Sequence, residues 1–327
     1  MSEAAPGGAF TGSAHGFTLR LGTRRSPMAM SQSAQVADLL TQRTGCRVEL
    51  VGISTFGDVS RAELAQIGGT GVFVSELRSR LVDGDIDFAV HSLKDLPTWQ
   101  DSALTLAAVP PRSDPRDALA ARNGAKLADL PAAARIGTGS PRRAAQLLMI
   151  RPDLQPVPIR GNAGTRLGKV DSGDVDAVVL ANAGLARIGR LDAVTQVFEP
   201  EEMLPAPGQG ALAVECLAGR PDLARLLSQV DDPPSRAATE AERAVLAAMQ
   251  AGCTAPIGAY AAGVDELRLD AIVAAADGGQ ALRASAAGPA EEAAAIGRQV
   301  AAELLRRGAG TYTDVSAGHL QSGDDAT

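Results

Sequence analysis

One sequence plan occurs twice in this 327-residue chain, and this repeat constrains the fold more than any other feature. Residues 18–21 alternate like a strand, continue as Gly-Thr-Arg-Arg-Ser-Pro at 22–27, and lead into helical spacing over 28–41. Residues 136–143 repeat this plan as Ile-Gly-Thr-Gly-Ser-Pro-Arg-Arg, followed by a helical run over 144–150. In both copies serine can cap the helix and proline suits its first turn.

A second repeat lies further along each half. Gly-Asp-Ile-Asp-Phe-Ala-Val at 84–90 matches Gly-Asp-Val-Asp-Ala-Val-Val at 173–179, and both predict a turn followed by a buried strand. Repeats in the same order indicate two similar α/β domains that bind a ligand in the cleft between them. The first half is longer, and its surplus includes residues 55–71, which form either a loop that closes over a site or a plain surface loop.

Proline-rich segments and a change in composition predict the domain boundaries. Residues 110–117 and 204–210 are expected to cross between the α/β domains, since their prolines suppress helix and strand. Beyond residue 234 we predict a small α+β domain, with a helix over 235–250 capped by Ser235, strands over 267–273 and 280–287, and a helix over 290–307. The predicted organisation is a disordered leader (1–17), domain 1 (18–113 and 208–230), domain 2 (114–207), domain 3 (231–317) and a disordered tail (318–327).

Composition excludes several classes of protein. Aromatic residues make up 3% of the chain and the net charge is -7, which argues against a nucleic-acid binder. No apolar run approaches 18 residues, so we expect no membrane span, and residues 1–17 lack the features of a signal peptide. Cys46, Cys216 and Cys253 have no CxxC spacing, which predicts neither a disulfide framework nor a zinc site and indicates a reducing compartment.

Residues 85–97 are the most distinctive stretch chemically. The apolar residues at 86 and 88–90 predict a buried strand, and His91, Lys94 and Asp95 follow where Pro97 prevents the strand from continuing. Open α/β sheets place ligands at such strand ends. A carboxylate at Asp95 would stabilise a carbocation or iminium about 4 Å away by about 4 kcal/mol at an effective dielectric of about 20. The alternative is a surface turn with a solvated Lys94–Asp95 pair.

A set of arginines recurs, mostly at strand-to-helix turns, where free helix N–H groups also favour anions. The set comprises Arg24, Arg25, Arg142, Arg143, Arg160, Arg166 and Arg187. Bidentate arginine pairs would select a ligand with several carboxylates, whereas the alternative is that these arginines form interdomain salt bridges. Residues 251–258, Ala-Gly-Cys-Thr-Ala-Pro-Ile-Gly, are predicted to form a loop in which Cys253 is either a buried small hydrophobe or an exposed thiol.

Six motifs, in order, resemble the hydroxymethylbilane synthase family, also called the porphobilinogen deaminase family. The motifs lie at residues 22–27, 88–97, 114–117, 159–166, 204–210 and 252–258. The resemblance runs from about residue 18 to 313 and implies two domains similar to periplasmic binding proteins plus a small α+β C-terminal domain. Departures from the family pattern at Ser31, Thr70, Ser75 and Pro141 affect cofactor contacts and loop closure rather than the reaction.

The resemblance implies a transferase that condenses four porphobilinogen molecules head to tail, with loss of ammonia, on a dipyrromethane cofactor bound to Cys253 through a thioether. Water then releases the linear tetrapyrrole hydroxymethylbilane. Asp95 would be the catalytic carboxylate that stabilises the azafulvenium ion and helps to transfer protons. The implied cofactor contacts are Lys94, Ser140, Arg142, Arg143, Arg160 and Arg166, and the implied substrate contacts are Arg24, Ser26, Arg160, Arg166 and Arg187.

We also predict a cytoplasmic location and a monomeric state, with porphobilinogen as the small-molecule substrate. No metal, nucleic-acid or membrane partner is expected. The competing interpretation is a non-catalytic two-domain protein that binds an anionic solute, either as a receptor or as the sensing domain of a regulator. Cys253, the lack of a secretion signal and the lack of a DNA-binding segment all argue against that interpretation.

Overall fold

The fold is taken from a computed structural model, which describes residues 18–53, 71–99, 101–252 and 255–313. The chain divides into two compact units. The first consists of Met1–His91, Gln100–Pro111 and Leu212–Asp232, and the second of Ser92–Trp99, Arg112–Ala211 and Pro233–Thr327. The predicted leader, the predicted tail, Cys253 and most of the predicted loop 55–71 lie outside the described residues.

The secondary structure alternates strands and helices over most of its length. The strands are β1 (Thr18–Arg24), β2 (Arg47–Ile53), β3 (Phe88–Ser92), β4 (Leu104–Ala108), β5 (Asp117–Ala121), β6 (Arg135–Gly137), β7 (Gln155–Val157), β8 (Ala177–Ala181), β9 (Gln196–Val197), β10 (Leu212–Leu217), β11 (Ile257–Ala262), β12 (Glu266–Ala274) and β13 (Ala281–Pro289). The helices are α1 (Pro27–Thr44), α2 (Gly71–Val82), α3 (Pro141–Ile150), α4 (Ala163–Asp171), α5 (Asn182–Arg187), α6 (Pro221–Leu227), α7 (Pro233–Ala248), α8 (Ala293–Arg306) and α9 (Gly310–Thr313). No helix among the described residues is long and apolar enough to cross a membrane.

Two five-stranded sheets share one plan. Their strand orders are β2-β1-β3-β10-β4 and β7-β6-β8-β5-β9. In the first, β1 runs parallel to β2 and β3, and in the second, β6 runs parallel to β7 and β8. The fourth strand of each sheet, β10 or β5, follows a proline-rich segment and pairs antiparallel with the edge strand. The predicted duplicated α/β architecture is therefore confirmed, and β10 returns the chain to the first sheet after residue 210.

The duplication extends to an arginine–aspartate pair that the sequence analysis did not identify. The backbone N–H of Arg20 donates to the Asp87 carboxylate at 2.7 Å, and the backbone N–H of Asp87 donates to the Arg20 carbonyl at 2.9 Å. Arg135 and Asp176 make the same two bonds at 2.7 and 2.8 Å. Each pair ties the start of one strand to the turn before its parallel neighbour, so both sheets fix their central strands in the same way.

Both helix starts in the repeated plan form as predicted. Ser26 accepts a hydrogen bond from the Ala29 N–H at 3.3 Å, and Ser140 accepts one from the Arg143 N–H at 3.5 Å. The prolines that follow occupy the first turns of α1 and α3, where a missing N–H costs nothing. The Ser-Pro pairs therefore set where these two helices begin.

The strand predicted over 86–90 is the buried centre of the first sheet, and its pairing begins at Phe88. Phe88 and Val90 point into one apolar cluster, while Ile86 and Ala89 belong to a second cluster. Burial on both faces explains why residues 88–90 form a continuous apolar run rather than an alternating pattern.

The C-terminal part is a small α+β layer structure, as predicted. Its antiparallel sheet β11-β12-β13 packs against α7 and α8, and Ala238, Ala241 and Val245 of α7 are buried there. The turn between β12 and β13 lies against α3, because a side-chain carbon at Gly278 would come within 2.6 Å of the Leu148 Cβ. This contact places the C-terminal sheet beside α3, the helix that carries Arg142 and Arg143, which are called the arginine pair below.

Two local predictions in this part are wrong. Ser235 does not cap α7, because the helix begins at Pro233 and the buried Ser235 hydroxyl instead accepts the Arg112 N–H at 2.9 Å. The predicted loop 251–258 ends earlier, since Ile257 already pairs in β11. Glycine is required at position 258 of that strand, because any Cβ there would lie 2.8 Å from the Leu204 carbonyl oxygen.

Candidate active site

The predicted reactive residues lie in a short turn directly after β3. Leu93–Asp95 forms one turn of 3-10 helix, in which the Leu96 N–H donates to the Leu93 carbonyl at 3.2 Å. The Leu93 N–H donates to the Ala211 carbonyl at 3.0 Å, so the turn is joined to the end of the second proline-rich segment. Lys94 and Asp95 are both half-buried on this turn.

Asp95 and Lys94 differ in the hydrogen bonds that they make with the rest of the protein. Among the described residues, the Asp95 carboxylate accepts no hydrogen bond, and its electrostatic partner is Lys94. The Lys94 ammonium donates to the Gln209 side-chain oxygen at 3.3 Å. Burial lowers the pKa of Lys94 to about 8; Asp95 opposes this shift, and the charge of Arg143 reinforces it. Lys94 therefore remains mostly protonated at neutral pH but loses its proton more easily than an ordinary lysine.

Gln209 connects the Lys94 turn to the arginine pair. Its side-chain oxygen accepts from Lys94 and from Arg143, each at 3.3 Å, and its amide nitrogen donates to Asp117 at 2.9 Å and to the Pro115 carbonyl at 2.7 Å. Gln209 is fully buried, so these bonds satisfy its amide without water. One amide thus joins both proline-rich segments and three charged groups.

Asp117, the first residue of β5, is the buried counter-charge of the arginine pair. It is fully buried and accepts from Arg142 at 2.7 Å and from the Arg143 Nε at 2.9 Å. Burial alone would raise the pKa of Asp117, but the two guanidinium charges outweigh it and hold the pKa well below its usual range. Burial lowers the pKa of Arg142, and its Nε is buried without a hydrogen-bond partner among the described residues.

The remaining predicted arginines of the second unit are placed differently from one another. Arg166 is half-buried and donates to the Gly161 carbonyl at 2.9 Å; burial and then the charge of Arg143 lower its pKa. Arg187 donates to the Gly210 carbonyl at 2.8 Å, and burial lowers its pKa. Arg160 is exposed and, within the described part of the chain, makes no hydrogen bond or ion pair.

Three predicted site residues lie elsewhere. Arg24 ends β1 and Ser26 caps α1, so both belong to the turn of the first unit that matches Thr138–Ser140 in the second. Cys253 lies outside the described residues. The structure therefore brings Lys94, Asp95 and the arginine pair into one network, with Arg166 in its electrostatic field.

Sequence reasoning assigned no role to Asp117 or Gln209, although both lie in motifs that it singled out. The available signals were a carboxylate opening an otherwise apolar strand and an amide between two glycines. Either signal could have marked a buried polar network, because such residues need partners when buried.

Cationic groups outnumber anionic ones in this region. In the described part of the chain, this network holds the cations Lys94, Arg142 and Arg143 and the carboxylates of Asp95 and Asp117, and the cations Arg166 and Arg187 lie on segments that adjoin it. Desolvated cations in excess favour a ligand that brings its own carboxylates, since each charge-assisted bond contributes about 1.5–3 kcal/mol. The site is thus suited to a small polycarboxylate beside a carboxylate available for chemistry.

The chain is similar to known proteins over most of its length. The family described as porphobilinogen deaminase, dipyromethane cofactor binding domain, matches residues 19–225, and the porphobilinogen deaminase C-terminal domain matches residues 237–306. Porphobilinogen deaminase of Thermobifida fusca (strain YX) is 58% identical over 93% of this chain and 98% of its own length. Porphobilinogen deaminase 1 of Streptomyces coelicolor is 55% identical over 89% and 96%. Among solved structures, the methionine binding protein MetQ aligns with a TM-score of 0.43 and 12% identity over 65% of this chain and 89% of that protein.

Proposed function

Because the chain belongs to the porphobilinogen deaminase family and is a transferase of tetrapyrrole biosynthesis, we propose specific roles for its residues in condensing four porphobilinogen molecules to hydroxymethylbilane. The catalytic group is the carboxylate of Asp95. The cofactor is a dipyrromethane attached through a thioether to Cys253. Family membership also removes the alternative of a non-catalytic solute-binding protein.

The observation that carries the role of Asp95 is a comparison of two turns. Leu93–Asp95 and Leu127–Asp129 are both 3-10 turns within the sequence frame Leu-x-Asp-Leu-Pro. The Asp129 carboxylate accepts the Lys126 N–H at 3.2 Å and so stabilises its own turn. Asp95 occupies the same position but accepts no hydrogen bond from the described residues, so its charge is available to a ligand.

Asp95 would act on the positive charge that develops when porphobilinogen loses ammonia. A carboxylate about 4 Å from that charge stabilises it by about 4 kcal/mol at an effective dielectric of about 20, which corresponds to roughly a thousandfold in rate. The same carboxylate can accept or return a proton at a pyrrole nitrogen within hydrogen-bond reach. Lys94, mostly protonated at neutral pH, would hold a ligand carboxylate next to the reacting ring.

The residues present fit a dipyrromethane. The buried Arg142 Nε has a donor to spare, and the cationic excess matches the acetate and propionate groups on two pyrrole rings. When bound, the group supplies the pyrrole carbon to which the first substrate unit is added. Its carboxylates would be held by Lys94, Ser140, Arg142, Arg143, Arg160 and Arg166.

Asp117 changes what the arginine pair can contribute. Both guanidinium groups already bond to this carboxylate, so Arg142 and Arg143 offer a ligand their remaining N–H groups and their charge. Arg160, which is exposed, retains its whole planar fork for a bidentate bond. Substrate carboxylates would be bound by Arg24, Ser26, Arg160, Arg166 and Arg187.

We also propose the predicted three-domain division, a cytoplasmic location and a monomeric state, with porphobilinogen as the small-molecule partner. The net charge of -7 supports the absence of nucleic-acid binding, and the buried free thiol of Cys216 fits a reducing compartment. Light scattering after gel filtration tests the monomer, and a dimer mass at working concentration would contradict it.

The cofactor attachment is tested by the intact mass of the purified protein. The mass should exceed that of the sequence by one dipyrromethane, and Cys253→Ser should abolish the excess. Cys216→Ser is the matched control, because that thiol is fully buried and should leave the excess unchanged. An active enzyme without added mass would contradict the thioether at Cys253.

The role of Asp95 is tested by Asp95→Asn against Asp129→Asn. The first should retain the fold and lower turnover of porphobilinogen by about a thousandfold, as the 4 kcal/mol above requires. The second keeps an acceptor oxygen for the Lys126 N–H, so it should cost less than about 1 kcal/mol of stability and leave turnover unchanged. Equal turnover in the two variants would exclude Asp95 as the catalytic carboxylate.

A further inference from the structure

A single arginine of α7 holds the turn that carries Lys94 and Asp95. One terminal nitrogen of Arg243 donates to the Leu93 carbonyl at 3.1 Å and to the Leu96 carbonyl at 2.8 Å. Its other terminal nitrogen donates to the Pro97 carbonyl at 2.7 Å. A planar fork with fixed donors can hold three carbonyls at once, which an ammonium on a flexible stem cannot do with the same geometry.

The same arrangement occurs a second time in the structure. Arg151 donates from one terminal nitrogen to the Leu127 and Leu130 carbonyls at 2.8 and 3.0 Å, and from the other to the Pro131 carbonyl at 3.4 Å. The bonded carbonyls occupy the first, fourth and fifth positions of Leu-x-Asp-Leu-Pro in both cases. An arginine fork therefore fixes the shape of the turn in both places, independently of the functional role of the turn's own residues.

The turn of Lys94 and Asp95 has a second attachment to α7. Glu242, next to Arg243 and fully buried, accepts the Gly208 N–H at 2.7 Å. Gly208 has a φ of +75° and packs so closely on the turn that a Cβ at this position would lie 3.3 Å from the backbone nitrogen of Lys94. Neighbouring residues of one helix thus hold the turn and the segment that packs on it.

We infer that Arg243 is a positioning residue, which fixes Lys94 and Asp95 relative to the arginine pair and makes α7 part of the reacting geometry. The inference rests on the proposed role of Asp95. The helix ends at Ala248, a few residues before Cys253, so one element lies beside the catalytic turn and leads into the proposed attachment site. A displacement of about 1 Å at a reacting group can cost about a hundredfold in rate, and the carbonyl bonds of Arg243 oppose such a displacement.

The test uses the cofactor-loaded enzyme with Arg243→Ala and Arg243→Lys, and Arg151→Ala as the matched control. Arg243→Ala should keep the added mass of the cofactor and lower kcat for porphobilinogen about 10–100-fold, with KM changed less than about threefold. Arg151→Ala removes the same kind of clamp and should lower only the melting temperature. Millimolar guanidinium chloride should restore part of the kcat of Arg243→Ala and leave Arg151→Ala unchanged.

The double variant Asp95→Asn/Arg243→Ala separates this inference from the proposed function. If Arg243 acts through Asp95, removing it from Asp95→Asn should lower the residual rate less than about twofold. Unchanged kcat in Arg243→Ala, or a full additive loss in the double variant, would overturn the positioning role. Should Arg243→Ala not fold, Arg243→Lys decides by the same kcat criterion. Normal turnover of Asp95→Asn alone would instead refute the proposed function.

Discussion

The substitution Asp117→Asn tests whether the arginine pair depends on its buried counter-charge. Asp117 accepts charge-assisted bonds from Arg142 and Arg143 and one bond from Gln209, and it has no solvent exposure. Asparagine keeps one acceptor oxygen but turns an amide donor towards groups that are themselves donors. The variant therefore leaves two buried guanidinium charges without compensation.

The expected cost follows from burial. Breaking a buried ion pair by removing one partner costs about 3–5 kcal/mol, because the remaining charge cannot be solvated. For a cooperative unit of about 150–250 residues, each kcal/mol lowers the melting temperature by about 2–4 °C, so we expect a fall of roughly 6–20 °C. Asp192→Asn is the control, since the exposed Arg190–Asp192 pair should contribute less than about 1 kcal/mol.

The pH dependence gives a second, independent readout. The pKa of Asp117 is depressed in the folded protein, so its contribution is fully present above the unfolded value of about 3.9 and is lost as the pH falls towards the folded pKa. The difference in unfolding free energy between wild type and Asp117→Asn should be constant from about pH 5 to 8 and shrink below about pH 4.

Calorimetry and circular dichroism of the cofactor-loaded proteins measure both quantities. A loss below about 1 kcal/mol at pH 7, close to that of the Asp192→Asn control, would refute the reasoning. In that case Arg142 and Arg143 would not depend on Asp117, and their carboxylate partner would have to be the ligand itself.

Two further predictions concern Lys94 and the turn before α3. In a ¹⁵N NMR titration the Lys94 ammonium, whose signal is identified with Lys94→Arg, should titrate near the pKa of about 8. A midpoint near 10.5 would contradict the buried setting. Because the unfolded chain holds this proton more tightly, the free energy of unfolding should rise from about pH 8 towards 10.5. Gly139→Ala should destabilise the protein by about 1–3 kcal/mol in thermal unfolding, since its Cβ would lie 2.9 Å from the Ile159 carbonyl. Gly168→Ala in α4 is the control: it has open space around it and should be neutral or stabilising. Equal effects of the two substitutions would contradict this account.

Sequence periodicity predicted the duplicated sheets well because the determinants of each element are local. Ser26 and Ser140 cap helices through residues three positions away, and the apolar run of β3 reflects burial on both faces. The cap at Ser235 failed for an equally local reason, since Pro233 and Pro234 fit the first turn of α7 instead of breaking it. Local chemistry therefore decides the elements, and errors arise where two local signals compete.

The network of the site could not be predicted in the same way, because its members are distant in sequence. Asp117 and Gln209 are 92 positions apart, and Arg243 is 150 positions from Leu93. Whether Arg142 binds a ligand or a protein carboxylate depends on which strand begins opposite its helix, and no spacing in the chain reveals this. The sequence motifs marked the right segments but could not show that one of them supplies a counter-charge and another an amide bridge.

The two halves diverge at the end of one strand. In the second sheet, β8 runs directly into α5, where the Asn182 amide donates to Asp114 at 2.8 Å. In the first, β3 runs into the clamped turn of Lys94 and Asp95. That turn is an ordinary structural unit of this protein, since Leu127–Asp129 has the same frame and the same arginine clamp. Under the proposed function, the reactive copy of this unit differs from Leu127–Asp129 in two respects: it has a lysine at its second position, and its aspartate does not cap its own turn and lies beside an excess of cations.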